Sequence, residues 1–364
     1  MARRALRIYA GPRARQHIRK HGLGPQDISV VPGAAGGPKG LVLGPLDRFI
    51  FGQWLTRSKQ PVHLVGASIG AWRMATACLE EAVPAFERLE RDYIAQDYEL
   101  EPGRKSPTAR HVSERFAHNL QDFYGGRVNQ VLNHPRYRLH VVTSRGRHLL
   151  SREHRIGTPL GYMGAYLSNS VHRRALGAWL ERVVFSTGPD PQALTLPFDD
   201  RDFRTRQVHL SAENFFPALQ ASCSIPFVLQ AVHDIPGAPP GAYWDGGITD
   251  YHLHLDYAAS HPRGLVLYPH FQKAIVPGWL DKAWRWRHGA TAFLDNTIVL
   301  APDPEWVRNL PNGKLPDRND FARYGADLAA RMQAWTRAAA ASEQLADEFA
   351  AFADSGDANL VERL

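Results

Sequence analysis

Between Asp27 and Ala82 the chain runs apolar stretch, glycine-rich loop, helical stretch, apolar stretch, sharp turn, helical stretch, and few folds accept that order. Residues 27–31 (Asp-Ile-Ser-Val-Val) read as a buried strand, followed by the Gly/Pro-rich segment Pro32 to Gly40. From Leu41 to Leu55 apolar residues recur at helical spacing, at Leu41, Leu43, Leu46, Phe49, Ile50 and Trp54. Pro61 restarts the chain, Val62 to Val65 form a second short strand, and Ala71 to Ala82 is a run of helix formers. Parallel strands need a crossover, usually a helix, so this alternation predicts an α/β fold with a mostly parallel central sheet.

Downstream, 85–100 and 108–121 read as helices separated by a polar Gly/Pro stretch, and 85–130 is a candidate cap. Residues 137–143 read as a strand, 162–185 as helical, 207–210 as a strand, 214–223 as a helix and Leu265 to Tyr268 as a strand. Phe321 to Phe352 is Ala-rich with helical periodicity. There is no internal repeat or low-complexity linker. The expectation is one domain over residues 1–364, with a core at about 27–270 and a helical extension at about 321–364.

Composition removes several function classes. With 44% hydrophobic and 22% charged residues the profile is globular. The 43 basic and 36 acidic residues give a formal +7, but the basic residues are scattered in short groups such as Arg173-Arg174. No basic run or nucleic-acid module is present, so no nucleic-acid partner is expected. Cys78 and Cys223 cannot make a disulfide framework and have no Cys-x-x-Cys spacing, which fits a reduced, cytoplasmic compartment. No apolar run approaches about 18 residues, so any lipid contact is expected to be peripheral.

Three motifs carry chemistry. Gly66-Ala67-Ser68-Ile69-Gly70 is a Gly-x-Ser-x-Gly lying between a strand and a helix. A serine hydroxyl is a weak nucleophile that must be placed within reach of a base and a substrate, and a sharp strand-to-helix turn does so. Alone, the pentapeptide reads equally as a tight turn. Gly33-Ala34-Ala35-Gly36-Gly37-Pro38-Lys39-Gly40 follows a strand and opens a helix, where backbone N–H groups can receive a phosphate or the oxyanion of an acyl intermediate. It is not a Walker A loop, because Lys39 is followed by Gly40 and Leu41 rather than Ser or Thr. The plain alternative is a glycine turn with a solvated lysine. Tyr243-Trp244-Asp245-Gly246-Gly247 puts a carboxylate on a turn; alone it reads as an Asx-turn. Paired with Ser68, Asp245 becomes a candidate base, made stronger by partial burial.

Taken in order, these blocks resemble the patatin-like phospholipase family. Ala35 to Gly40 is similar to that family's oxyanion loop, Gly66 to Gly70 to its Gly-x-Ser-x-Gly, and Asp245-Gly246-Gly247 to its Asp-Gly-Gly. Ala221-Ser222-Cys223-Ser224-Ile225-Pro226 resembles the stretch preceding that Asp. The resemblance spans roughly residues 27–250. It implies a three-layer α/β/α fold, a Ser68/Asp245 dyad without a catalytic histidine, and oxyanion donors at Gly36, Gly37 and the N–H of Ile69. It also implies lipid acyl hydrolysis, with no cofactor or metal; Lys39 would favour anionic headgroups. Two departures stand out: Ala35 replaces the first glycine of the loop, and Ile248-Thr249-Asp250 follows the Asp-Gly-Gly.

Three rival readings remain. A Ser-His-Asp hydrolase, an esterase or thioesterase, could draw its histidine from His252, His254, His261 or His270. His252-x-His254 beside Asp250 and Asp256 could hold a metal. A non-catalytic membrane-surface binder could use 277–289, where Trp279, Leu280, Trp284 and Trp286 interleave with Lys282, Arg285, Arg287 and His288. Pro277-Gly278 would start that helix; the plain alternative packs the tryptophans on the core.

Overall fold

The computed structural model describes residues 4–98, 107–260 and 264–364. Its strands are β1 (Leu6–Ala10), β2 (Ile28–Gly33), β3 (Val62–Ala67), β4 (Tyr137–Gly146), β5 (Leu180–Ser186), β6 (Thr205–His209), β7 (Val232–His233), β8 (Ala242–Asp245), β9 (Leu265–Pro269), β10 (Thr297–Pro302) and β11 (Val361–Arg363). They form one mixed sheet in the order β11-β1-β10-β9-β2-β3-β4-β5-β6. Every pairing from β10 through β9, β2 and β3 to β4 is parallel. The fold is therefore α/β with a mostly parallel central sheet, as the alternation over residues 27–82 implies.

Side chains alternate across the sheet and divide the core into two layers. Leu64, Leu139, Val141, Val183 and Leu267 point into the larger apolar cluster, which the helices Ile69–Ala77, Ala82–Ile94, Ala109–Tyr124 and Phe215–Cys223 cover. Val30, Val65, Val142, Val184 and Val266 point the other way, onto Phe198, Leu253, Leu255 and Tyr257.

The sheet reaches beyond the expected 27–270 core, since β1, β10 and β11 lie outside it. The 162–185 segment is not all helix: Gly157–Val171 is helical, and β5 starts at Leu180. Glu181 and Arg182 hid this strand, because charged residues in a buried strand defeat the apolar pattern. Both are buried and paired, Glu181 with Arg145 at 2.7 Å and Arg182 with Asp250 at 2.6 Å. The helical stretch after Pro38 is also broken, into a 3-10 segment at Gly37–Leu43, an α-turn pair at Gly44–Phe49 and a π segment at Ile50–Trp54.

One feature of the topology places the site. β4 is long: on one side its first six residues pair with β3, ending with Ala67 opposite Val142. On that same strand β8 runs antiparallel and ends with Asp245 opposite Thr143. β3 and β8 therefore share a lane and point their carboxyl ends at each other across two consecutive residues of β4. The turn after β8 is fastened by the fully buried Arg182–Asp250 pair, with Nε and an Nη bonded to separate carboxylate oxygens at 2.8 and 2.6 Å. Removing one partner of such a pair strands a buried charge. Arg182→Met is expected to lower the unfolding free energy by about 3–5 kcal/mol; a urea-melt midpoint equal to that of the parent would contradict this.

Candidate active site

Ser68 follows directly on β3 and caps the helix Ile69–Ala77 with φ 56° and ψ −129°. That is strained backbone for a residue with a Cβ, and it lifts the side chain out of the turn. The turn can be this tight only because its glycines admit backbone. A Cβ on Gly70 would lie 1.8 Å from the Gly33 oxygen, and one on Gly66 would lie 2.4 Å from Ala71 Cα. The helix after Ser68 is pinned from behind by Arg73, which is buried and donates to both oxygens of Asp47 at 2.6 and 2.8 Å.

The Ser68 hydroxyl donates to Asp245 Oδ2 at 2.7 Å, and Gly247 N–H donates to Oδ1 at 2.7 Å. Both carboxylate oxygens are thus engaged. Gly246 lies flat against β4, where a Cβ would meet the Val142 oxygen at 2.1 Å. Ser222 ties the junction together: its hydroxyl accepts from Ser68 N–H at 3.0 Å and donates to the Val142 oxygen at 2.7 Å. Its carbonyl accepts from Gly246 N–H at 3.2 Å, and Ser224's carbonyl from Asp245 N–H at 2.9 Å. This gives the Ala221–Ile225 block a physical role as the clamp on the meeting of β3 and β8.

Burial raises the Asp245 carboxyl above the ordinary carboxylate range, opposed by the Ser68 hydrogen bond and the charge of Arg318. A cavity of about 210 Å³ lies over the pair. Its wall includes Ser68, Asp245, Gly36, Lys39, Lys282 and Arg318. Gly247 also borders it. Gly37, Gly40 and Ile69 border a narrower cleft across the loop, beside Arg73 and Tyr93. Gly37 has φ +57° and its Cα faces the Arg318 guanidinium, so the positive-φ position of the loop falls at Gly37 and not at Ala35, whose N–H is bonded to the Tyr251 oxygen at 3.0 Å. Gly37 N–H opens a 3-10 segment and Ile69 N–H a helix, so neither has a partner within its own helix.

Lys282 and Arg318 carry no local sequence signature; they reach the cavity from beyond the motif blocks. Crowding by the walls, with Arg318 and Lys39 close by, pulls the Lys282 ammonium down although its side chain keeps solvent contact. Its Nζ sits 4.0 Å from the Tyr251 ring centroid.

The other candidates lie elsewhere. His252 Nδ1 accepts from Val276 N–H at 2.9 Å, His270 Nδ1 lies 2.5 Å from the Gln272 oxygen and His254 Nε2 lies 3.1 Å from the Thr291 hydroxyl. None of the three borders the cavity, and burial lowers His254 to about 4 and His270 to about 3. His261 lies outside the described residues. Among the described residues no group of three or more His, Cys, Asp or Glu is arranged to hold a metal. The described part of 85–130 packs in the core through Phe86, Leu89, Phe116 and Phe123 and does not border the cavity; 99–106 lie outside the described residues. Residues 277–289 form two 3-10 turns, Trp279–Asp281 and Arg285–Arg287, and not one helix. Asp281 is the reason: it is buried and draws Asn169, Arg173 and Arg287 around itself at 2.8–3.0 Å.

No family profile and no curated protein sequence matches the chain. Among solved structures it is similar to human GIVD cytosolic phospholipase A2, with 11% identity and a TM-score of 0.44, over 97% of this chain and 66% of that one. It is also similar to VipD from Legionella pneumophila, with 15% identity and a TM-score of 0.37, over 96% of this chain and 71% of that one. The chain thus spans just under two thirds of the phospholipase chain.

An Asp acting as base must be ionised, so a raised pKa moves the acid limb of the rate profile upward. The limb of kcat/KM is expected above the ordinary Asp value of about 4. Arg318→Gln removes a charge that favours the ionised form and should shift the limb further toward neutral pH. A limb that stays put or moves to lower pH in that variant would contradict the coupling.

Proposed function

We propose that the chain is a serine hydrolase that cleaves acyl esters of lipids through Ser68 and Asp245. The observation that carries this is the 2.7 Å hydroxyl–carboxylate hydrogen bond at a strained strand-to-helix turn, with no histidine between the two groups. In the first half-reaction Ser68 Oγ attacks the acyl carbonyl carbon while its proton passes to Asp245 Oδ2. The N–H groups of Gly36, Gly37 and Ile69 receive the oxyanion; loss of one such donor typically costs about 10²–10³ in rate. Collapse expels the alcohol, which leaves with the proton from Asp245. In the second half-reaction water gives a proton to Asp245 and attacks the acyl-enzyme; as the carboxylic acid leaves, Asp245 returns that proton to Ser68 Oγ, restoring both groups.

The lipid part of the reading is supported by the motif resemblance and by the charge of the cavity. Lys39, Lys282 and Arg318 all border it, and among the described residues none of them has a carboxylate ion-pair partner. Asp317, the acidic group beside Arg318, is bonded to Lys314 at 2.8 Å. Arg318, with Lys39 and the protonated form of Lys282, draws in donors with an anionic group near the scissile ester, such as a phosphate headgroup, whose charge would in turn favour the Lys282 ammonium. Contact with a membrane in this reading is peripheral; no described helix is long and apolar enough to cross one.

Ser68→Ala and Asp245→Asn are each expected to reduce hydrolysis of p-nitrophenyl acyl esters to background with an unchanged circular dichroism spectrum. Substantial turnover in either folded variant would reject the dyad. In Lys282→Gln combined with Arg318→Gln, the ratio of kcat/KM for a lysophospholipid to that for an uncharged monoacylglycerol should fall; an unchanged ratio would reject the headgroup role.

A further inference from the structure

The helix Gly157–Val171 contains no charged residue in its 15 positions. Its outer face is apolar. Leu160, Met163, Leu167 and Val171, with Ile156 just before the helix, recur at spacings of three and four and are 57–84% exposed. Apolar stripes of this kind normally face a core. Here the opposite face does that: Tyr162 and Ala165 pack with Leu176 and Trp244. Gly161 and Gly164 let the helix approach Leu150 and Trp179 closely, where a Cβ would come within 2.6 and 2.5 Å. The helix is firmly seated, and its exposed stripe is a built feature of its outer side.

The stripe continues toward the cavity on both flanks. On one, Phe227 is 62% exposed and its ring meets Tyr162 at 6.0 Å; Ile225, two residues earlier, borders the cavity. Phe227 has φ +68°, a strained conformation for an aromatic residue. On the other, Tyr166 stacks on Trp284 at 5.7 Å, and Trp284 meets the 72% exposed Trp286 at 5.1 Å. Trp279, at the start of that segment, borders the cavity. The rim is basic: Arg152 and Arg155 precede the helix, Arg174 follows it, and Lys282 and Arg285 flank Trp286, all exposed. Two acidic groups lie at this rim: Glu153 accepts from Ala231 N–H at 3.0 Å, and Asp234 pairs with Arg152 at 2.8 Å, so the excess positive charge rests on Arg155, Arg174, Lys282 and Arg285.

We propose that this face, the Gly157–Val171 helix with Phe227 and Trp286, docks the protein on an anionic lipid bilayer with the cavity mouth turned toward the headgroups. An exposed apolar stripe bracketed by arginines and aromatic residues suits insertion at a bilayer interface, the basic charge coming from the flanking segments rather than from the helix itself. The positive rim complements an anionic leaflet, and continuity with the cavity gives the face a purpose. The proposal draws its substrate from the lipid-hydrolase reading, but docking itself needs no chemistry, so the two can fail separately.

The test uses the full chain carrying Ser68→Ala, sedimented with phosphatidylcholine vesicles and with vesicles that also contain phosphatidylserine. Binding is expected to the mixed vesicles and to weaken with added salt. Adding Leu160→Ser, Met163→Ser and Leu167→Ser should lower partitioning by at least about tenfold. In the Ser68 background the same three changes should leave turnover of a soluble p-nitrophenyl ester intact, which controls for folding. Binding to neither vesicle, or equal partitioning of the triple variant, would overturn the proposal. A shift from dimer to monomer in the triple variant would overturn it too, by assigning the face to a second copy of the chain.

Discussion

The structure turns on two strands that stop head to head. β3 and β8 occupy one lane beside β4 and approach from opposite directions, pairing at Val142 and Thr143. Whatever follows Ala67 and whatever ends β8 must meet there, and the residues are Ser68 and Asp245, 177 positions apart in the chain. Nothing local could produce this. It needs β4 to run past the end of β3, β8 to fold back antiparallel, and both junction backbones to fit the space left. The hydrogen bonds of Ser222 to Ser68 N–H, Val142 and Gly246 close that space from the helix side.

The same enclosure sets the chemistry. A carboxylate in water is a poor proton acceptor for an alcohol, because its conjugate acid is too strong. Burial raises Asp245, while Gly247 N–H and Ser68 keep the ionised form accessible. Arg318 and Lys282 then oppose part of that rise and, with Lys39, border the cavity. In the proposed reaction the base would be a compromise between a dry wall and a cationic rim, and the rim would favour anionic acyl donors. Strain at Ser68 adds to the cost of the site, on the order of 1–3 kcal/mol. The surrounding core and the Arg73–Asp47 pair must offset it.

Backbone constraints were what made the site legible in sequence. Gly66, Gly70 and Gly246 stand where a Cβ would run into backbone atoms, so the motif spacings record geometry and not merely composition. The order strand, loop, helix, strand, turn, helix was legible for a similar reason, since apolar runs of four to six residues between glycines leave little choice. β5 was hidden because its buried Glu181 and Arg182 are neutralised by partners far away in sequence. Arg318 and Lys282 were hidden as site residues because they arrive from segments whose position depends on the whole fold. The pattern over 162–185 indicates helix and no more; only the structure reveals that the two faces of Gly157–Val171 are both apolar, one packed and one open.

The central claim, that Ser68 is an activated nucleophile because Asp245 meets it at this junction, is tested most directly by covalent trapping. The parent protein and Asp245→Asn would be incubated with a fluorophosphonate probe, and the modified peptide mapped by mass spectrometry. One labelled serine, Ser68, is expected in the parent, with labelling slowed at least about a hundredfold in Asp245→Asn. Labelling at another serine, or equal labelling of Ser68 in both proteins, would contradict it.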